Sequence, residues 1–252
     1  MTNNFLKCSY MIMLAATYFV TYILLLSVGG IIAVRMTALQ PYIGMIAMAG
    51  AGGFLALLLP VRKLPLQLPE KPALTIPAVF FLAAGVCVIL NVVMAFIPWN
   101  GIGETHVVQD NASMFGIPFA MRLLSYVVIA PLAEELLFRG TVLHKIGEFA
   151  PKWIAILISS IAFGIYHGNL QQGIYAFLCG CVIAWVFVVT GSFWMAVLFH
   201  AAANLLVNLA YEFEVIRNIV YSIPVIVILS LLALGSALLI VFSHKKGIQN
   251  EK

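Results

Sequence analysis

The sequence predicts an all-α, polytopic membrane protein of about eight transmembrane helices, and three observations predict it. Of its 252 residues, 63% are hydrophobic and 9% charged, and the mean hydropathy is +1.10. A soluble domain has about 45–50% apolar and about 25% charged residues. Apolar runs of span length recur along the whole chain, and the basic residues between them gather on one side.

The first run, Met11 to Val34, is as long as a full span of about 20 residues and longer than the roughly 7–15-residue core of a cleavable signal. It reads as the first transmembrane helix. A second run follows at 42–60. The segment VRKLPLQLPEKPALTIP holds four prolines and reads as a loop, because an interior proline removes a backbone donor and clashes with the preceding turn. A third span lies at 76–97, and Pro98 to Gly116 is a polar, turn-rich loop without Lys or Arg. Five more runs, at 118–138, 153–167, 171–190, 193–211 and 219–242, complete the set. No internal repeat interrupts them, so a single membrane domain over 1–252 is the simplest division. Cys8, Cys87, Cys179 and Cys181 have neither a disulfide framework nor zinc-ribbon spacing and read as small packing residues.

Eight spans put both termini on one side of the bilayer. That side collects Lys7, Arg62, Lys63, Lys71, Arg139, Lys145, Lys152, Lys245, Lys246 and Lys252, and the other holds Arg35, Arg122 and Arg217. Ten against three accounts for all 13 basic residues. By the positive-inside rule the ten-residue side is cytoplasmic, so the expected place is a cell membrane, with both termini in the cytoplasm. The net charge of +4 belongs to this topology and points to no nucleic-acid partner.

Some polar residues do not belong in oil. PLAEELLFRG, Pro131 to Gly140, carries three charges in six residues. A carboxylate within a span costs about 2.5–3.5 kcal/mol to insert and is a functional candidate by default. Glu135 and Arg139, four apart, share a helix face and can pair, whereas Glu134 points about 100° away. The bland alternative is that all three charges mark a cytoplasmic helix end. Later spans weigh against it: SSIAFGIYHG places Phe163 and His167 one turn apart, and FHAAAN places His200 and Asn204 one turn apart. A lone histidine in an apolar helix is usually a packing residue. Two of them, with an asparagine and a glutamate in three spans, are not independent accidents. At about 1.5 Å per residue these groups reach a common depth if the fourth helix runs on toward Lys145. Gly164 and Gly168 form a small-xxx-small pair flanking His167 that would admit a neighbouring helix. MAGAGG in the second span reads as packing alone.

A glutamate and a histidine can deprotonate a water in a dry cavity. A second histidine and an amide NH2 can donate to the oxyanion of a tetrahedral intermediate. Together they suit hydrolysis of a peptide bond. Glu134, His167 and His200 are also a three-ligand set for catalytic zinc. Both imidazoles would then need further acceptors to fix their rings, and the spans offer few. A site without obligatory metal is therefore favoured, with zinc as the alternative. HExxH occurs nowhere, Asp110 is the sole aspartate, Ser192 lacks a histidine-activated serine motif, and glycine-rich phosphate loops are missing. Zincin, two-aspartate, serine-protease and ATP-driven readings fall away.

The ordered set EExxxR (Glu134, Glu135, Arg139), FxxxH (Phe163, His167) and HxxxN (His200, Asn204) resembles the CPBP family, the CAAX-protease and bacteriocin-processing group also called Abi. FRG after the glutamates, SS before FGIYHG and TGSFW before the last motif are similar to it as well. The resemblance covers about Phe119 to Asn208, with 119–208 as the family-like core. It implies an all-helical membrane fold with a catalytic cavity between the motif helices, acting on peptide or protein substrates at the bilayer, among them pheromone or bacteriocin precursors and prenylated CAAX proteins. By the resemblance Glu134 and His167 activate water, His200 and Asn204 stabilise the oxyanion, and Glu135 and Arg139 hold the site together. Family members are described both as metalloproteases and as glutamate-dependent enzymes. Two rivals stand beside this reading: a non-catalytic immunity or scaffold protein, and a proton-coupled transporter using the same groups as a relay.

Overall fold

In hydrocarbon a helix alone satisfies every backbone donor and acceptor within one segment. The computed structural model describes residues 2–59, 64–99 and 117–244, and every regular element among them is helical. The chain runs through α1 (Thr2–Arg35), a 3-10 turn (Thr37–Tyr42), α2 (Ile43–Leu58) and α3 (Pro72–Phe96). A helix of mixed winding over 119–146, α4, follows. Then come α5 (Lys152–Tyr166), α6 (Leu170–Thr190), α7 (Phe193–Glu212), the short α8 (Glu214–Val220) and α9 (Ile223–Ser243). Six are long and apolar enough to cross a membrane: α1, α2 with its leading turn, α3, α6, α7 and α9. The other two predicted spans are of a different kind. α5 has 15 residues, and α4 changes its winding along its length.

Two boundaries depart from the sequence reading. The proline-rich loop ends early, because α3 begins at Pro72 and holds Pro77 inside it. A proline at the first helical position gives up a donor that has no partner anyway, and Pro77 one turn later frees a single carbonyl near the helix start. The last predicted span, 219–242, is divided at Tyr221 and Ser222, with Pro224 in the first turn of α9. The predicted loop from Pro98 to Gly116 lies, from residue 100 onward, outside the described residues.

The chain forms two compact units, residues 1–64 with 110–159, and residues 65–109 with 160–252; the boundary falls inside α5. Unit 1 packs α1, α2 and α4. The Tyr10 hydroxyl near the start of α1 donates to the Leu58 carbonyl at the end of α2 (3.5 Å), so the two helices run antiparallel. Beyond α4, Glu148 accepts from Lys145 (2.7 Å) and pairs with Lys7 of α1 (3.4 Å). Lys7 and Lys145, assigned to one side by charge, thus lie at the same end of this unit. The small residues of MAGAGG do pack: a Cβ on Gly52 would sit 2.8 Å from the Ala133 Cβ, so α2 rides directly on α4 beside Glu134.

Unit 2 holds α3, α6, α7, α8, α9 and the end of α5. Its extended lead-in to α3 is stitched to the α6–α7 turn. Phe193 N–H donates to the Pro65 carbonyl (2.8 Å), Ser192 Oγ to the Gln67 carbonyl (2.7 Å), and Gln67 Nε2 to the Gly191 carbonyl (3.2 Å). α3 and α7 therefore start at the same end and run parallel. α9 closes against α3 where Gly85 meets the Leu229 carbonyl and Ala233.

Candidate active site

The motif residues fall in both units, and each half is a built arrangement. In unit 1, Glu134 and Glu135 end a short α segment, Ala130–Glu135, between two π-helical stretches, Leu123–Ile129 and Leu136–Leu143. π turns bond i to i+5 and concentrate at functional sites. The Thr141 hydroxyl shows this winding, donating to the Leu136 carbonyl five residues back (3.1 Å). Glu135 and Arg139 still pair as their spacing requires: Nη1 donates to Oε1 at 3.0 Å, with both side chains at 0% exposure. That pair is fully desolvated, so each charge depends on the other. Glu134 is buried too, at 6% exposure, and lies within electrostatic reach of Tyr22 on α1. The helix carries on past Arg139 to Ile146.

In unit 2 one aromatic ring joins the other two motifs. Phe163 is buried, with its ring centroid 4.7 Å from His167 and 5.6 Å from His200, edge-on to both. His167 Nδ1–H donates to the Phe163 carbonyl at 2.8 Å. A carbonyl only accepts, so Nδ1 carries the proton and, in the neutral ring, Nε2 presents its lone pair. That tautomer suits a base, and it equally suits a ligand. His200 is buried and Asn204 half-buried one turn along α7. Ser192, without a serine-protease motif in the sequence, is taken up by its bond to Gln67.

The turn after His167 corrects one sequence expectation. Gly164 is a close-approach residue, since a Cβ there would lie 2.7 Å from the Gly173 carbonyl of α6. Gly168 is not: nothing lies within 4 Å of its Cβ position, and its φ of +75° makes it the left-handed hinge between α5 and α6. Asn169 then caps α6, its Oδ1 accepting from Gln172 N–H at 2.8 Å. A cavity of about 480 Å³ opens between α5 and α6, walled by Ile161, Ile165, Ile174 and Phe177. Neither His167 nor His200 lines it.

Sequence reasoning missed several polar groups. Asn208 continues the spacing of four from His200 and Asn204 and is fully buried; its Nδ2 donates to the Asn204 carbonyl at 2.9 Å. The pattern HAAANLLVN carried that signal. Ser160 lies on the Phe163 and His167 face of α5, fully buried, its hydroxyl without a hydrogen-bond partner among the described residues. The cluster of Cys87, Asn91 and Tyr175 was missed because, although Cys87 and Asn91 lie one turn apart on α3, Tyr175 joins them from a helix far away in sequence. Within each unit, no three His, Cys, Asp or Glu side chains among the described residues are grouped to hold a metal ion.

Comparison with known proteins bears on the same segment. A family model described as "Type II CAAX prenyl endopeptidase Rce1-like" matches residues 116–206. "Putative membrane peptidase YdiL" of Bacillus subtilis is 29% identical over 120 residues, 47% of this chain and 48% of that protein. "UPF0177 protein YxdF" of Lactococcus lactis is 33% identical over 79 residues, 31% of this chain and 43% of that protein. The chain thus spans about half the length of the curated relatives it matches. No solved structure matches it. Residues 116–206, with EExxxR, FxxxH and HxxxN in order inside them, are thus the part of this chain that is similar to the Rce1-like family model.

Proposed function

We propose that the chain is an intramembrane endopeptidase that hydrolyses peptide bonds of membrane-associated peptides or proteins, processing of a pheromone or bacteriocin-type precursor being the kind of task it suits. Glu134 and His167 take the proton of a water whose oxygen attacks the scissile carbonyl carbon. His200 and the Asn204 amide donate to the oxyanion that forms. As the C–N bond breaks, the proton passes to the departing amine and both catalytic groups return to their starting state. Glu135 and Arg139 pair with one another and hold the site together, and Glu134 is the carboxylate assigned the chemistry.

The observation that carries this reading is the pairing of two imidazoles on the Phe163 ring, with the His167 tautomer fixed by the Phe163 carbonyl. That bond sets the orientation and tautomer of the His167 ring, as a base requires. The family description and the name of the Bacillus relative support the same activity.

On metal, the reading follows the chemistry of the donors. Zinc needs at least three protein ligands and a water; unit 2 supplies two imidazoles, and the third ligand would be Glu134. Bound there, zinc would polarise the carbonyl and acidify water. Asn204, one turn from His200, suits an oxyanion donor better than a ligand, and hydrolysis without obligatory metal is the reading favoured. The test uses the full chain in detergent and an internally quenched CAAX peptide, with and without a farnesyl group on its cysteine. Cleavage of either peptide that Glu134→Ala abolishes and prolonged chelation leaves intact supports the reading. Stoichiometric zinc, lost with activity and restored with it, would move His200 from donor to ligand. Cleavage undiminished in Glu134→Ala would remove the glutamate from the mechanism.

A further inference from the structure

Asn204 is gripped from two sides by groups outside the three motifs. Cys87 of α3 is fully buried, and its thiol donates to the carbonyl of Ala203, the residue before Asn204, at 3.7 Å. Asn208 donates to the carbonyl of Asn204 itself at 2.9 Å. In a helix each of these carbonyls already accepts from the amide four residues on. A second donor on each fixes the peptide planes on both sides of the Asn204 Cα.

Cys87 is in turn held by its own neighbours. The Tyr175 hydroxyl of α6 donates to Sγ at 3.4 Å. Asn91 Nδ2 donates one proton to the Cys87 carbonyl at 2.8 Å and lies within reach of Sγ at 3.5 Å and the Tyr175 oxygen at 3.4 Å, which share the other. Three helices, α3, α6 and α7, thus meet in one connected polar network. A buried network of this kind is costly when incomplete, and when satisfied it fixes one arrangement of the helices it joins. Plain packing would not need it: a cysteine that only fills space has no use for two donors behind it and an acceptor in front.

We propose that Cys87, backed by Asn91 and Tyr175, is a positioning residue for Asn204: its thiol holds the α7 backbone so that the Asn204 amide is aimed before the oxyanion forms. The inference rests on reading Asn204 as an oxyanion donor. A donor already in place needs no reorganisation when charge develops, so the benefit appears in the transition state and not in substrate binding.

The test measures kcat and KM of the full chain in detergent on the quenched CAAX peptide. Cys87→Ala lowers kcat about five-fold with KM unchanged, the scale of one buried hydrogen bond moved onto the barrier. Cys87→Ser keeps an O–H donor on the same side, on a shorter bond that must shift toward the carbonyl, and recovers part of it. Tyr175→Phe keeps the ring, folds with least disturbance and gives a smaller loss, about two-fold. In an Asn204→Ala background Cys87→Ala costs nothing more, because the group it positions is gone. A loss of full size in that background, or wild-type kcat in Cys87→Ala, overturns the positioning role. Asn204→Ala at wild-type kcat overturns the oxyanion reading beneath it, a separate result. Amide exchange across residues 205–208 gives a readout free of turnover. It quickens in Cys87→Ala and is partly restored in Cys87→Ser; exchange unchanged in Cys87→Ala overturns the proposal.

Discussion

The glutamate half and the histidine half of the motif set solve the same problem by different means. In unit 1 the groups are charged, and they sit on a helix whose winding changes from π to α and back around them. Their partner comes from the same helix, one turn away. In unit 2 the groups are imidazoles and an amide, the helices are regular, and partners from the same helix are joined by partners from others: the Phe163 ring also meets His200, and a thiol of α3 bonds a backbone carbonyl of α7. A charge out of water demands compensation at contact distance, which a single helix can guarantee. A neutral imidazole or amide demands only orientation, which packing against neighbouring helices supplies. Removing a group from unit 1 should therefore be abrupt, and from unit 2 graded.

The largest expected effect separates the two glutamates. Glu135→Gln removes the carboxylate charge from the fully buried Glu135–Arg139 pair, a change that costs about 3–5 kcal/mol and lowers Tm together with activity. Glu134→Gln keeps the Glu135–Arg139 pair and changes Tm little while turnover stops. Thermal unfolding of both variants in one detergent checks this; equal Tm values would erase the contrast between the halves. In unit 2, Phe163→Ala removes the ring shared by both histidines and costs about 3–5 kcal/mol as a buried aromatic deletion. Phe163→Leu should recover much of the stability and little of the turnover, since the volume returns but not the planar surface. A leucine variant with full turnover would show that the ring is filling and nothing else.

A third substitution tests how tightly α2 supports the glutamate helix. Gly52→Val places side-chain atoms where Ala133 already lies, with the first at 2.8 Å, and overpacking of this kind costs about 1–3 kcal/mol. Gly53→Ala, with nothing within 4 Å of its Cβ position, is the control and should stay within about 0.5 kcal/mol. If both behave alike, the α2–α4 contact does not support Glu134.

The smallest effect is one of pH. Burial pushes the Glu148 carboxyl up, but hydrogen bonds and charges from Lys145 and then Lys7 outweigh it and hold the group below its ordinary 4.5. A depressed carboxylate stabilises the folded state above its unfolded pKa, and that contribution is lost as pH falls through the lower folded value. Tm of the wild type should accordingly fall more steeply than that of Glu148→Gln as pH is taken below about 4.5. Parallel curves would mean that the Lys7–Glu148–Lys145 cluster does not tie α1 to the end of α4.

Much of this was legible in the sequence because membrane burial makes polar residues conspicuous. The all-helical fold, the Glu135–Arg139 pair and the two histidine motifs follow from apolar runs and a spacing of four. The π stretches around Glu134 were not legible, since LLSYVVI and LLFRGTVL differ in no compositional way from α-helical neighbours. Pro72 and Pro77 misled, because a proline is hostile to a helix interior and harmless near its start. Gly168 misled in the opposite sense: its spacing from Gly164 suggested packing, whereas its backbone makes a turn. Cys87 read as inert because two of the three groups its thiol meets, the Ala203 carbonyl and the Tyr175 hydroxyl, lie on other helices and leave no local pattern.

The central claim is that this chain cuts peptides in the membrane and that Glu134 is required for it. The most direct measurement needs no guess about substrate: peptidomics of matched cells carrying either the wild-type chain or Glu134→Gln at equal abundance. The account predicts a defined set of fragments from membrane-associated precursors that appears with the wild type and is absent with the variant, the intact precursors accumulating in its place. Indistinguishable peptidomes, with both proteins folded and in the membrane, would contradict it and leave a binding or scaffold role for the same site.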